Sequence, residues 1–336
     1  MTHRKQDGVA VVTALLLTTL AITIVASLFW QQQVQVRSIE NQRFQLQKKW
    51  VLRGALDWAG LILREDRRIS KVDHLGEPWA VNLGDTRLDQ YVENGRAETE
   101  DSDATLSGQI SDAQAKFNLS NLALNGQVDR RELAVFAKLL SNLRLDPALA
   151  QSVATQIALT SERVLEGPTK PGESGGPGDV KNPPDPKENP GSPPISLNSE
   201  VQFLKFSQID DLLSIPGFSL ASIARLRNFV TVLPRSTKIN VNTTTAEVLS
   251  ARLENVSMTD AALMIATRDR AYFLDFERFK LNFPDKVLET DVNFLDFQTN
   301  FFVVNGRVRL NRSLLEVDAL LERDDKGTQI LWVREN

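Results

Sequence analysis

The run from Val9 to Trp30 constrains this chain more than any other feature: 22 residues without a charge. As a helix rising 1.5 Å per residue it spans roughly 33 Å, close to the thickness of a bilayer core. Thr13, Thr18, Thr19, Thr23 and Ser27 interrupt its apolar character, but a helical hydroxyl can donate back to a carbonyl of the preceding turn. His3, Arg4 and Lys5 stand just before it. Positive charge is retained on the cytoplasmic side of a membrane, so the pattern predicts the amino terminus inside and the bulk of the chain outside.

Three processing routes fit such a start. A secretory signal peptide has a shorter apolar core with a small-residue cleavage site behind it, and the candidate near Ala26 and Ser27 is a poor one. A plain signal anchor is the second. The third turns on the short basic leader, residues 1–8, ending in Gly8. It resembles the leader of type IV pilin-like proteins, in which a prepilin peptidase cuts after the glycine on the cytoplasmic side. On that reading the mature chain starts at Val9 with its membrane helix, residues 9–30, intact. Most pilins carry glutamate at the fifth mature position, where this chain has Thr13. An unpaired carboxylate in lipid is expensive, and in the family that acid is thought to pair with a neighbour's terminal amine. The departure fits the K-type minor pseudopilins of type II secretion systems, which resemble pilins but lack the acid.

Beyond the membrane, residues 31–66 contain no proline, and Val51, Ala55, Trp58 and Ile62 recur at helical spacing. Val72 to Ala80 reads as a turn because of Gly76 and Pro78. Its Gly76-Glu77-Pro78-Trp79-Ala80 resembles a segment that follows the first helix in the K family. Leu106 to Asn121 reads as a short strand pair ending in a polar turn, and its Phe117-Asn118-Leu119 run also resembles the family's pattern. Asn118 and Asn121 read as structural, as turn or cap residues. Helical periodicity fills 129–164. From Glu166 to Pro194, nine of 29 residues are proline and six are glycine, a composition that predicts a flexible loop. Order resumes near Ile195, with helices expected over 207–213 and 219–230. Strands follow at 300–309, 313–322 and 329–333, with Asn305-Gly306 as a hairpin signal and Leu315, Val317, Ala319 and Leu321 alternating as a half-buried strand should.

Composition limits the chemistry. There is no cysteine, so thiolate nucleophiles, cysteine metal sites and disulfides are excluded. Two histidines, His3 and His74, allow no histidine-rich metal site. Asp73 and His74 are adjacent on a turn with no nucleophile marked beside them, and read as structural. Hydrolase elbows and phosphate loops are missing. A net charge of −4 gives no general attraction for nucleic acid. The strongest rival is Leu213-Ser214-Ile215-Pro216-Gly217-Phe218, which looks like a helix-hairpin-helix whose backbone N–H groups hold a phosphate. With Ile239-Asn240-Val241-Asn242-Thr243, it makes a membrane-anchored DNA-uptake protein the alternative. One glycine instead of two, acids at 210 and 211, and no basic and aromatic cluster count against it. The acidic run Glu98 to Asp103 could ligate calcium, but lacks the glycine and closing glutamate of a full loop. Related K subunits hold calcium through an acidic stretch most of whose acids are missing here at 157–162, so calcium is possible but not predicted, and no cofactor is expected.

The resulting expectation is an α+β fold: a long amino-terminal transmembrane helix, an antiparallel pilin sheet and a large all-α insertion. The pilin domain takes residues 31–125 and 291–336, and the helical insertion 126–290. The resemblance covers nearly the whole chain. It implies a non-enzymatic minor pseudopilin in the inner membrane, bulk periplasmic, packing with the I and J minor pseudopilins and other pseudopilins, with no nucleic acid partner. It also implies a place at the tip of the pseudopilus, with Thr13 as the residue that sets it.

Overall fold

Helix α1 runs unbroken from Asp7 to Ile69; at 1.5 Å per residue its 63 residues measure roughly 95 Å. The structure is a computed structural model and describes residues 7–87, 104–160, 205–310 and 313–335. The leader residues 1–6, the acidic run Glu98 to Asp103 and the loop at 166–194 lie outside the described residues.

The chain divides into two compact units, Met1–Asp112 with Thr299–Asn336, and Ala113–Gln298. The first unit holds α1 and one antiparallel sheet of β1 (Leu83–Arg87), β2 (Ala104–Asp112), β3 (Phe301–Leu310), β4 (Ser313–Asp324) and β5 (Gly327–Glu335), which lie side by side in that order. The early strands find their partner in the late ones: β2 pairs along its whole length with β3, from Ala104 opposite Leu310 to Asp112 opposite Phe302. A sheet assembled from both ends of the chain is what the α+β reading requires.

Three expectations change here. Asn305-Gly306 is not a hairpin turn. β3 continues straight through it, with Asn305 opposite Asp318 and Gly306 opposite Val317. Both strands keep their inward alternation, and a turn there would break it. The glycine serves packing instead. Leu106 to Asn121 is not a strand pair. β2 is one nine-residue strand, followed by a 3-10 turn at Ala113–Ala115 and a two-residue strand, Phe117–Asn118, that runs parallel to Val230–Thr231. The insertion is also longer than 126–290. It begins as soon as β2 ends, because Phe117 and Asn118 pair within the second unit. It ends after Leu295–Asp296, which pair parallel to Ile239–Asn240.

The second unit is mostly helical, with α2 (Arg130–Asn142), α3 (Leu149–Thr160), α4 (Leu220–Leu226), α5 (Ala246–Arg252), α6 (Met258–Arg270) and α7 (Phe276–Asn282). The helix expected at 207–213 is a 3-10 turn, Ile209–Ser214, and α4 stops at Leu226 so that Val230 can join the short parallel pairing. Asp129 caps α2, accepting from the N–H groups of Arg131 and Glu132 at 2.8 and 3.0 Å. The core packs Phe117 flat on Phe136, centroids 5.3 Å apart, among Leu119, Leu139 and Val153. Asn118 and Asn121 hold the return segment: Asn118 donates to Arg235 O at 2.8 Å and accepts from Leu233 N at 3.1 Å, and Asn121 exchanges two bonds with Thr237. Both are structural, as expected from their side-chain chemistry.

Candidate functional site

Two halves of α1 behave differently, and the contrast defines the functional surface. Val11 to Trp30 is exposed throughout, and among the described residues α1 is the one helix long and apolar enough to cross a membrane. Three of its threonine hydroxyls are satisfied within the helix: Thr18 donates to Leu15 O, Thr19 to Leu16 O and Thr23 to Leu20 O, at 2.8 to 2.9 Å. An apolar exterior whose threonine hydroxyls bond back to the helix suits a lipid environment. Gly8 and Val9 lie in the first turn of α1, and Thr13 lies about one turn later, exposed.

The other half is seated on the sheet. The buried stripe is Leu52, Leu56, Ala59 and Leu63, one residue on from the stripe expected at Val51, Ala55, Trp58 and Ile62. Both series have helical spacing. The sheet selects between them, leaving Trp58 49% exposed where Leu56 is 3%. Close approach depends on a pair of glycines that face each other across β2 and β3, Gly108 and Gly306. A Cβ on Gly306 would sit 3.4 Å from Leu52 Cδ1, and one on Gly108 would sit 2.9 Å from Asn305 O. Beside this contact Trp79, 1% exposed, meets the Phe302 ring edge-on at 5.2 Å, and its Nε1 donates to Glu77 at 2.8 Å. The Gly-Glu-Pro-Trp turn therefore plugs the end of the seat.

Where α1 ends, a buried charge cluster closes the unit. Arg323 of β4 is 1% exposed. Its guanidinium donates to Asp66 at 2.8 Å, Asp73 at 2.5 Å, Leu63 O at 3.2 Å and Thr299 O at 2.8 Å, and lies 4.7 Å from the Phe302 ring centroid. Asp73 also accepts from Thr299 N at 2.6 Å, and Thr299 Oγ1 donates to Asp112 at 2.6 Å. One arginine thus ties together the last turn of α1, the following loop, the strand that carries it and the residue at which the chain re-enters the unit. Burial pushes the Asp66 carboxyl up to about 7. The negative charge of Glu77 adds to this, the hydrogen bond from Arg323 opposes it, and Asp73 adds a further part. Asp73 is structural rather than half of a catalytic pair with His74, whose Nδ1 accepts from Gly76 N at 3.1 Å.

Sequence reasoning missed this cluster, although the signal was present. Asp66 continues the seated stripe 52, 56, 59, 63, and Arg323 continues the inward alternation 315, 317, 319, 321. Opposite charges at the inward positions of two packed elements indicate a buried ion pair. Among the described residues, Asp66, Asp73 and Glu77 also bring carboxylate oxygens within 4.8 Å of one another. That donor set would suit a hard cation, but the guanidinium already supplies the positive charge there.

The rival hairpin is satisfied from within. At the start of α4, Ser219 and Ser222 cap each other's N–H groups at 3.2 and 2.7 Å. Asp211 takes the N–H groups of Ser207 and Gln208, and Arg227 is bound to Asp210 at 2.7 Å. Gly217, at φ +103°, is fixed by packing, since a Cβ there would lie 2.6 Å from Leu149 Cδ2. Ile239 to Thr243 is equally structural. Asn242 is buried and exchanges bonds with both the N–H and the C=O of Phe273 at 2.9 and 2.8 Å.

Comparison with known proteins agrees with this architecture. Residues 115–235 and 239–291 match two families both described as type II secretion system (T2SS), protein K, which together span just over half of the chain. The type II secretion system protein K of Pseudomonas aeruginosa is 27% identical over 97% of this chain and 91% of its own length. That of Pectobacterium carotovorum subsp. carotovorum is 25% identical, over 97% of this chain and 95% of its own. In fold, the chain is similar to one chain of the GspK-GspI-GspJ complex from the type 2 secretion system of enterotoxigenic Escherichia coli. The TM-score is 0.58 at 17% identity, covering 89% of this chain and 99% of that one. Both family matches begin and end inside the helical unit, Ala113–Gln298.

Proposed function

The chain belongs to the protein K family of type II secretion systems and is a minor pseudopilin, and from that premise we propose that it caps the pseudopilus tip and helps to initiate its assembly. The observation that carries this reading is the continuity of α1. A lipid-exposed half and a sheet-seated half share one unbroken helix, so a push on the globular part is transmitted to the membrane segment without a hinge. The work is mechanical rather than catalytic, with no cofactor, and the filament it heads drives folded proteins across the outer membrane.

The remaining parts of the proposal follow from named residues. The helix lies in the inner membrane with its amino end cytoplasmic, since His3, Arg4 and Lys5 precede the apolar run. A prepilin peptidase cuts between Gly8 and Val9. The partners are the I and J minor pseudopilins, in line with the assembly that gives the structural relative its name, and other pseudopilins below. Thr13 offers no carboxylate to the amine of a subunit stacked above, which suits a terminal position.

The deciding measurement is the amino-terminal residue of the protein extracted from membranes of a host that has a prepilin peptidase. Mass spectrometry is expected to find a chain starting at Val9, methylated on its amine. A chain still starting at Met1 or Thr2 would mark a plain signal anchor and remove the pilin-type processing. For tip placement, Thr13→Glu is expected to let further subunits add above and to reduce secretion; unchanged placement and secretion would show that Thr13 does not set the position.

A further inference from the structure

Charge around Arg323 is unevenly balanced. Three carboxylates and one guanidinium share a volume that water barely reaches: the Arg323, Asp66 and Asp73 side chains are 1%, 8% and 3% exposed. Fully ionised, the group would carry a net excess of two negative charges against the sheet core. Carboxylates this close cannot all ionise at the ordinary pH, and one of them titrates high. Hydrogen-bond donors decide which. Asp73 accepts from Arg323 and from Thr299 N. Glu77 accepts from Trp79 Nε1 at 2.8 Å and His74 N at 2.9 Å. Among the described residues, the Asp66 carboxylate accepts from Arg323 alone. It is the acid with the least stabilisation to lose by taking up a proton.

We propose that Asp66 holds a proton while α1 is seated, which makes the last turn of the helix a pH-sensitive latch that is firm in mildly acidic surroundings and loosens as the pH rises. The charged groups facing Asp66 are Arg323 from β4 and Asp73 and Glu77 from the loop after α1. Its helix neighbour Arg67 is engaged with Asp325 at 3.1 Å. The sign follows from proton linkage. An unfolded aspartate titrates near 3.8, and burial carries Asp66 up to about 7. Between those values the seated form holds a proton that the unfolded chain has released. Each unit of rising pH therefore weakens seating roughly tenfold, until the loss is complete above about 7. The latch sits at the point where Thr299 and Asp112 mark the sheet's re-entry and exit strands.

The test uses the full chain in lipid nanodiscs and measures amide hydrogen exchange of Arg64 to Ile69 from pH 5 to 8.5, corrected for intrinsic base catalysis. In the wild type, corrected exchange is expected to rise roughly tenfold per unit between pH 5 and 7 and then level. Asp66→Asn mimics the protonated acid. It is expected to match the wild type at pH 5, to lack the rise, and to be the better protected of the two at pH 8. An equal pH slope in both proteins would overturn the latch. Should Asp66→Asn fail to fold, Glu77→Gln keeps the proposal testable. Removing that charge is expected to move the wild-type midpoint to lower pH, and an unmoved midpoint overturns it. Infrared spectra at pH 6 give a direct reading: a protonated-carboxyl band is expected in the wild type, and its absence overturns the assignment.

Discussion

Each unit of this chain seats a fully buried arginine against carboxylates, and the two are balanced differently. Arg252 in the helical unit, 1% exposed, meets a single acid: Glu132 of α2 accepts its two terminal nitrogens at 2.5 and 2.7 Å. Phe117 and Phe294 flank the guanidinium at 5.6 Å. One positive charge faces one negative charge, in the parallel two-bond geometry that suits guanidinium and carboxylate best. Arg323 in the sheet unit meets Asp66 and Asp73 one bond each, with Glu77 close by and two carbonyls taking a further bond from each terminal nitrogen. Its partners come from three chain segments: α1, the loop after it and Thr299. The first arrangement braces two neighbouring helices. The second gathers distant pieces of chain onto one point and is left with more negative charge than it can neutralise.

The largest expected effect that separates them is from Arg323→Met, which strands buried acids without a counter-charge and should destabilise the sheet unit by about 3–5 kcal/mol. Tryptophan fluorescence in denaturant checks this cleanly, because all five tryptophans lie outside residues 113–298. Next comes Arg252→Met, at about 3 kcal/mol, read by amide exchange in α5 with tryptophan fluorescence unchanged. Replacing both members, Glu132→Leu with Arg252→Met, should recover most of that loss, since an apolar replacement of a balanced pair is often neutral. No single companion substitution should rescue Arg323→Met to the same extent. Gly108→Ala sharpens the comparison from the packing side. The new Cβ meets Asn305 O at 2.9 Å, and forcing the strands apart should cost the sheet unit about 1–3 kcal/mol. The smallest effect is from Ser257→Ala, which removes the α6 cap bonded to Asp260 N at 3.1 Å. It should lower the helical unit's stability by about 1 kcal/mol and leave tryptophan fluorescence alone.

Much of this architecture is legible in the sequence because its strongest signals are local. The uncharged run ending at Trp30, the Gly76-Pro78 turn and the alternation from Leu315 to Leu321 each follow from period or turn chemistry within a few residues. What escaped depends on partners distant in sequence. Val51 and Leu52 begin equally good helical stripes, and only the position of the sheet distinguishes them. Asn305-Gly306 carries the chemistry of a two-residue turn, yet the glycine is spent on admitting Leu52. Phe117 and Asn118 looked like the end of the pilin sheet, because nothing nearby reveals that their strand partner is at Val230. The Arg323 cluster stayed hidden for the same reason. Reading it requires placing residue 66 opposite residue 323, and that requires the fold.

The pairing of β2 with β3 also dictates an order of events in biosynthesis. Asp112 and Phe302, opposite each other in the sheet, are separated by the whole helical unit. A chain made from its amino terminus can complete residues 113–298, with their mostly internal contacts, before β3, β4 and β5 exist. The membrane helix is in place long before its seat is. Until β3, β4 and β5 arrive, Leu52, Leu56, Ala59 and Leu63 present an uncovered apolar ribbon that starts roughly 33 Å past the apolar run, and closing the sheet over it is a late, non-local and therefore slow step. The sheet unit thus closes on α1 only after β3, β4 and β5 have been made, and until then the helix has no seat.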